Sequence, residues 1–222
     1  MSYLRWQQIT LPHLDNTSIE THYDRGFVFG RIDRGVMDET RSLRIDLSSF
    51  SLSSENRRIL RKAHEITLSV HLLPYAAYHW HIGKLAKDFY DTKFGVGTFS
   101  ANKVKELLTD QDKSNFNRLY EYHRGNQSIG YAICLETEQM VHYSYPFYDL
   151  SSNAYPFNPN TGMGMMLLAI EQAHEHGKQY FYLGSAQRPG DTYKLQFAEL
   201  EWWTGEYWSR DTEELKRILP SF

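Results

Sequence analysis

The chain has a single cysteine, Cys134, in 222 residues. One thiol can form neither an internal disulfide nor a cysteine-rich metal cage, which suits a reducing compartment and leaves the fold to be held by its own core. Long apolar runs are also missing, since no stretch approaches the roughly 18 residues that a membrane-spanning helix needs. The first residues, Met1 to Gln8, lack a basic segment followed by an apolar one, so no secretory signal is read and a soluble cytoplasmic protein without membrane contact is expected. An excess of positive charge is absent as well. The 24 Lys and Arg against 27 Asp and Glu leave a formal net charge of −3, so the molecule is no polycation, and any nucleic-acid contact has to be a local patch. No repeat or low-complexity segment occurs, and no Pro/Gly/Ser linker divides the chain.

What is present reads as a folded globule. Hydrophobic residues make up 41% and charged residues 23%, near the averages for globular domains. A chain of this length buries about 70% of its unfolded surface, enough for a core without staples. Alternating apolar and polar residues predict strands at 26–32 and 42–47, paired in a small antiparallel N-terminal region. Ser53 to Asn56 offer capping residues before a short basic helix near 57–63. Further on, the pattern predicts a strand at 66–73 and helices at 77–93, with Trp80, Ile82, Leu85 and Phe89 as its apolar residues, and at 101–110, capped by Ser100. Strands follow at 116–123, 127–136 and 139–147. Pro159-Asn160-Thr161 opens a helix over 161–176 that stops at Gly177. The rest reads as a strand near 179–183, a short helix at 190–197, two short strands within 198–208 and a helix at 211–219. The expected division is a small N-terminal region, 1–65, packed on a core domain, 66–222. This α+β order, a mixed and mostly antiparallel sheet flanked by helices, is also that of the GNAT acyltransferase fold. It predicts that strands 139–147 and 179–184 are neighbours.

Three segments go further than element order. The first runs from Leu43-Arg44-Ile45-Asp46-Leu47 through the serines to Glu55-Asn56-Arg57-Arg58. The second is Tyr145-Pro146-Phe147-Tyr148-Asp149-Leu150-Ser151. The third joins Tyr180-Phe181-Tyr182-Leu183-Gly184 to Tyr193-Lys194-Leu195-Gln196-Phe197 and Glu199-Leu200-Glu201. In this order they resemble the strand and double-arginine helix start, the "FYD" strand end, and the "YLG" and "YK-x-x-F" stretches of the arginyl-tRNA–protein transferases, aminoacyl-transferring relatives of GNAT enzymes. The resemblance spans about residues 40–210. It implies a GNAT-like core that moves arginine, or another amino acid, from charged tRNA to the N-terminal amine of a protein or to another free amine. That family carries clustered cysteines in its N-terminal region for a metal or iron–sulfur centre. Residues 1–50 have none, so no metal or other cofactor is expected. Two alternatives stay open: a GNAT-type N-acyltransferase using acyl-CoA, and a catalytically silent homologue that binds tRNA or protein.

Aminoacyl transfer to an amine needs a group to stabilise the oxyanion and a way to protonate the leaving ribose hydroxyl. Tyr193 stands where GNAT enzymes often place a tyrosine general acid, unless it packs in the core. Lys194 could hold the oxyanion. Asp149 or Glu199 could orient a cationic arginyl group or accept a proton, or could serve as caps or surface ion partners. At the predicted helix start near 161, Gly162 and Gly164 admit two readings. They could leave backbone N–H groups open to a donor's phosphates, or let helix and sheet approach closely. Pro159 stands where a coenzyme A site usually has Arg or Gln. Arg57, Arg58 and Arg61 could grip tRNA phosphates, with Arg25, Arg31, Arg34, Arg41 and Arg44 adding basic character nearby. Tyr148, Tyr182, Ser185, Phe197 and Trp202 are the candidate substrate-pocket positions, although Trp202 and its aromatic neighbours are read first as sheet packing and only alternatively as a pocket wall. The His79/His81 and His174/His176 pairs have i, i+2 spacing, which points to different sides of a helix and does not suit a metal.

Overall fold

The computed structural model describes residues 4–150 and 160–219. Within them the α+β expectation holds. Eight strands hydrogen-bond into one sheet in the order Trp208–Ser209, Leu200–Trp203, Ser42–Asp46, Tyr180–Ser185, Met140–Tyr148, Gln127–Glu136, Arg118–Arg124 and Ile66–Leu72, and Gln7–Thr10, Val36–Glu39 and Phe27–Phe29 form a second sheet in that order. The chain forms two compact units, residues 1–53, 136–142 and 173–222 in one and 54–135 and 143–172 in the other. Strand β8 (Met140–Tyr148) contributes to both. Pro159 and Ser151 lie outside the described residues.

In the first unit, β1 (Gln7–Thr10) and β2 (Phe27–Phe29) both pair antiparallel with β3 (Val36–Glu39). Strand β4 (Ser42–Asp46) instead lies in the large sheet, antiparallel to both β9 (Tyr180–Ser185) and β10 (Leu200–Trp203). The expected pairing of segments 26–32 and 42–47 is therefore corrected: the partner of β2 is β3, whose residues Val36-Met37-Asp38-Glu39 carry two acids and no continuous apolar signal. Helix α1 (Asn16–Tyr23) was not legible either. Its apolar face is only Ile19 and Tyr23, and it starts because the Asp15 carboxylate accepts from Ser18 N–H at 2.9 Å. Strands β8 and β9 are neighbours, as expected, and pair in parallel over Met140–His142 and Tyr180–Tyr182. The chain closes with the β10–β11 hairpin, β11 being Trp208–Ser209, and with α6 (Thr212–Ile218), capped by the Asp211 carboxylate on Glu214 N–H.

The second unit carries β5 (Ile66–Leu72), β6 (Arg118–Arg124) and β7 (Gln127–Glu136), antiparallel in turn. Residues 129–135 of β7 are all buried, the pattern of a strand covered on both faces, and Cys134 is a fully buried filler among them. Helix α2 is Ser54–Lys62, α3 Trp80–Phe94, α4 Ala101–Thr109 and α5 Thr161–Glu175. Ser100 caps α4 as expected, accepting from Lys103 N–H at 3.1 Å. On α3 the buried positions are Ile82, Gly83, Ala86, Phe89 and Tyr90, while Trp80 is 58% exposed, its ring centre 3.7 Å from that of His81 and its plane tilted 59° to it. Trp80 begins the helix, where no preceding turn offers it a core. Beyond α5, Gly177 takes φ +70° and donates to His174 O at 3.0 Å, the expected C-terminal stop. No helix among the described residues is long and apolar enough to cross a membrane.

One side chain ties the first unit's strands together. Arg44 on β4 is 5% exposed, and its guanidinium lies 3.9 Å over the Tyr180 ring and 4.0 Å over the Trp208 ring. It donates to Glu201 at 2.8 Å, to Asp24 at 2.7 Å and to the Tyr182 hydroxyl at 3.3 Å. Removing the cation strands the half-buried Glu201, although Arg210 reaches the same carboxylate at 3.1 Å. Arg44→Met should cost about 3 kcal/mol or more, whereas Arg210→Met, on a side chain 56% exposed, should cost less than about 1 kcal/mol. Denaturant unfolding of both variants checks the difference.

Candidate functional site

At the end of β9 the chain takes a left-handed step at Gly184, φ +74°, and enters the short 3-10 helix Pro189–Gln196. That helix starts because one carboxylate oxygen of Asp191 accepts from both Gln187 N–H and Arg188 N–H at 2.9 Å. The other Asp191 oxygen stands 3.6 Å from the Lys194 ammonium. Lys194, 12% exposed, donates to the Ser185 carbonyl at 3.0 Å. Arg41 reaches the next carbonyl, Ala186 O, at 3.4 Å, and its buried Nε has no hydrogen-bond partner. Two cations are thus fixed against consecutive carbonyls where β9 ends. Tyr193, beside Lys194, is 49% exposed, with its ring centre 5.9 Å from the ammonium. No described residue bonds its hydroxyl.

A histidine lies behind this cation. His142, paired with Tyr182 across β8 and β9, is 2% exposed, and its Nδ1 and the Tyr23 hydroxyl share a 2.8 Å hydrogen bond. The Tyr23 oxygen also accepts from Phe29 N–H at 3.2 Å. Burial, with the nearby Lys194 charge, pushes the imidazole down to about 3, so at neutral pH it is uncharged. A Cβ on Gly184 would stand 3.8 Å from its Nε2. His142 was not among the sequence candidates. Its one local signal is a polar residue flanked by the buried run Met140-Val141 and Tyr143 on β8.

The remaining candidates scatter. Glu199 is 8% exposed, and its Oε1 accepts from Ser51 N–H at 3.2 Å and Ser51 Oγ at 3.1 Å, a turn-holding arrangement. Phe197 and Trp202 are buried at 3% each, and the Trp202 N–H donates to Asp211 O at 2.9 Å, so both pack in the core. Tyr182 is buried in contact with Arg44, and Ser185 offers its carbonyl to Lys194. In the second unit, Asp149 N–H donates to Ile129 O at 3.0 Å. A Cβ on Gly162 would come 2.9 Å from the Tyr148 ring, and one on Gly164 2.8 Å from Ala63 Cβ, so close packing alone accounts for both glycines. On α2, Arg58 forks onto Glu55, while Arg61 is exposed; Arg57 immediately precedes Arg58 in sequence.

The second unit also holds a polar cluster that sequence reading missed. Glu121 on β6, 8% exposed, receives His71 Nε2 at 2.8 Å, Tyr75 OH at 3.3 Å and Ser128 Oγ at 2.5 Å. Burial would raise its pKa, but the contacts from Ser128, His123 and His71 outweigh it and hold the carboxyl below its ordinary value. The partners come from three strands and a loop, so no local motif announces them. Among the described residues no group of three or more His, Cys, Asp or Glu could hold a metal ion.

No family model matches the chain. The search of curated proteins found no match either. Solved structures do overlay on it. L-PGS from Bacillus licheniformis matches at a TM-score of 0.46 and 13% identity, over 77% of this chain and 52% of that one. The GCN5-related glucosamine N-acetyltransferase region of a fungal multi-domain GH3 β-N-acetylglucosaminidase matches at 0.48 and 11%, over 87% and 23%. FemX matches at 0.42 and 10%, over 77% and 60%. The chain thus spans about half of the first of these and less than a quarter of the second. At such scores and identities only the chain's own residues bear on its chemistry.

The buried neutral imidazole gives a pH signature. A histidine that binds its proton near 6.5 when unfolded but near 3 when folded lets the unfolded state take up more protons as the pH falls. Stability should be full above pH 6.5 and decline between 6.5 and 3 by about 1.4 kcal/mol per pH unit at most. Urea unfolding at several pH values should show this slope, and His142→Gln should reduce it.

Proposed function

We propose that the chain is an aminoacyl-tRNA-dependent transferase with a GNAT-like core, carrying arginine to the N-terminal amine of a protein. The observation that carries this reading is the meeting of two segments that resemble the arginyl-tRNA–protein transferases. Arg44 of the first contacts Tyr182 and Glu201 of the third, and within the third, Lys194 bonds the carbonyl that follows Leu183-Gly184. Residues about 140 positions apart are thus brought into contact, as the resemblance requires if it reflects function.

In such a transfer the amine nitrogen bonds to the ester carbonyl carbon. The bond from that carbon to the ribose oxygen breaks, and a proton passes from the amine to that oxygen. Lys194, fixed by Ser185 and Asp191, is assigned to the developing oxyanion, where a pre-placed cation costs no reorganisation. Tyr193, with its hydroxyl unclaimed by the described residues, is assigned as the donor to the leaving oxygen. A half-exposed phenol does not fit the alternative of core packing. The charge of His142 is suppressed beside Lys194, which spares the site a competing cation. Close packing of Gly162 and Gly164 leaves neither an acyl-CoA donor nor tRNA phosphates an observation in their favour at that helix start.

Tyr193→Phe should slow single-turnover transfer by about 10²–10⁴-fold and leave the melting temperature unchanged. Lys194→Met should also slow transfer, and it should lower stability because Asp191 loses its partner. A Tyr193→Phe protein that transfers at full speed would end the assignment of the phenol.

A further inference from the structure

The candidate transfer residues stand at the Gly184 end of β9. At its other end the first unit opens into a cleft of about 290 Å³, walled by Glu20 and Asp24 at the end of α1, Gln139 and Met140 at the start of β8, and Tyr180 and Tyr182 on β9. Tyr180 and Gly184 are four residues apart, roughly 13 Å along a strand. A ligand here is therefore separate from the group that would react beside Lys194.

The two carboxylates are each half used. Glu20 Oε1 accepts from the Thr137 hydroxyl and from Gln139 N–H at 3.1 Å, and Asp24 Oδ1 accepts from Arg44 at 2.7 Å. No described residue bonds Glu20 Oε2 or Asp24 Oδ2. They lie four residues apart at the end of one helix, so both can face the same ligand. Charge in the patch is also unbalanced. The guanidinium groups of Arg44 and Arg210 meet the carboxylates of Asp24, Asp46 and Glu201, and Glu20 adds a fourth. Lys178, next to the cleft in sequence, is matched by Glu136 at 3.1 Å. Two negative charges are left over.

The protein itself shows which cation these walls suit. Three of them, Tyr180, Asp24 and Tyr182, already hold the guanidinium of Arg44, by ring stacking, ion pair and hydroxyl contact. A planar, weakly hydrated cation matches flat rings and forked oxygens better than a compact ammonium does. We propose that the cleft binds a second guanidinium on an aliphatic stem, its fork on Glu20 Oε2 and Asp24 Oδ2 and its stem along the half-buried Tyr180 ring. This proposal does not rest on the transferase reading.

Two sources share that chemistry, a free guanidino compound and an arginine side chain of a polypeptide. The probe is N-acetyl-arginine amide, titrated by NMR while the ring protons of Tyr180 are followed, with N-acetyl-citrulline amide as its neutral isostere. The expected result is a saturable shift with the arginine probe and binding at least about tenfold weaker with citrulline. Glu20→Gln keeps an oxygen to accept from Thr137 and Gln139 and removes only the charge. It should weaken the arginine probe several-fold without lowering the melting temperature. A blocked Gly-Arg-Gly tripeptide that binds as well as the monomer would point to a polypeptide side chain, and exclusion of the tripeptide alone to a free small molecule. Equal binding of arginine and citrulline probes, an affinity untouched by Glu20→Gln, or no saturable shift at Tyr180 would overturn the proposal.

Discussion

A guanidinium clamped between two aromatic rings, with carboxylates at its edge, fixes the arrangement of the first unit. Arg44 sits on β4, the strand between β9 and β10, and its partners come from α1, β9, β10 and β11. A charge this deeply buried is tolerable only when every direction around it is answered. Each partner is therefore constrained: Tyr180 and Tyr182 must keep their faces of β9, Glu201 must stand opposite Arg44 in register, and the end of α1 must bring Asp24 over the strands. The same placement of α1 sets Tyr23 against His142 and Glu20 against the start of β8. The cleft and the neutral histidine are both consequences of it.

Along β9 this produces a division of labour. Its start carries surplus negative charge and aromatic walls. Its end carries two cations held on consecutive carbonyls, next to a glycine step that only a residue without a side chain takes easily. The imidazole between them is kept uncharged by burial. Opposite electrostatics at the two ends of one strand suit a protein that handles both an anionic intermediate and a cationic group, in separate places.

Much of the fold was legible because the local signals were strong. Ser100 as a cap, Gly177 as a stop, the continuous apolar run of β7 and the alternation of β4 each place an element from a few neighbouring residues. The elements that escaped have weak periodicity: α1 offers Ile19 and Tyr23 alone, and β3 is half acidic. Partnership was harder to read than existence. Nothing in Leu43-Arg44-Ile45 says that the strand enters the large sheet rather than pairing with β2, because pairing is decided by residues some 140 to 160 positions away. The site divided in the same way. Lys194 and Tyr193 were singled out through a sequence resemblance, and the structure places Lys194 on the carbonyl after Gly184. Glu199 and Phe197 belong to the same segments but are buried, since a motif records structural residues along with chemical ones. His142 and the Glu121 cluster arise from contacts across strands and loops, so no local spacing could have revealed them.

Whether this site moves an amino acid from tRNA to an amine is tested most directly by mass spectrometry. Peptides with free N-terminal amines would be incubated with the protein and a pool of charged tRNAs, then compared with peptides incubated with the same pool alone. Aminoacyl transfer should give a protein-dependent mass gain of one amino-acid residue on the peptide, arginine foremost, that disappears when the tRNAs are deacylated. Peptides unchanged in mass beside tRNAs that stay charged and bound to the protein would contradict it and leave a binding module in its place.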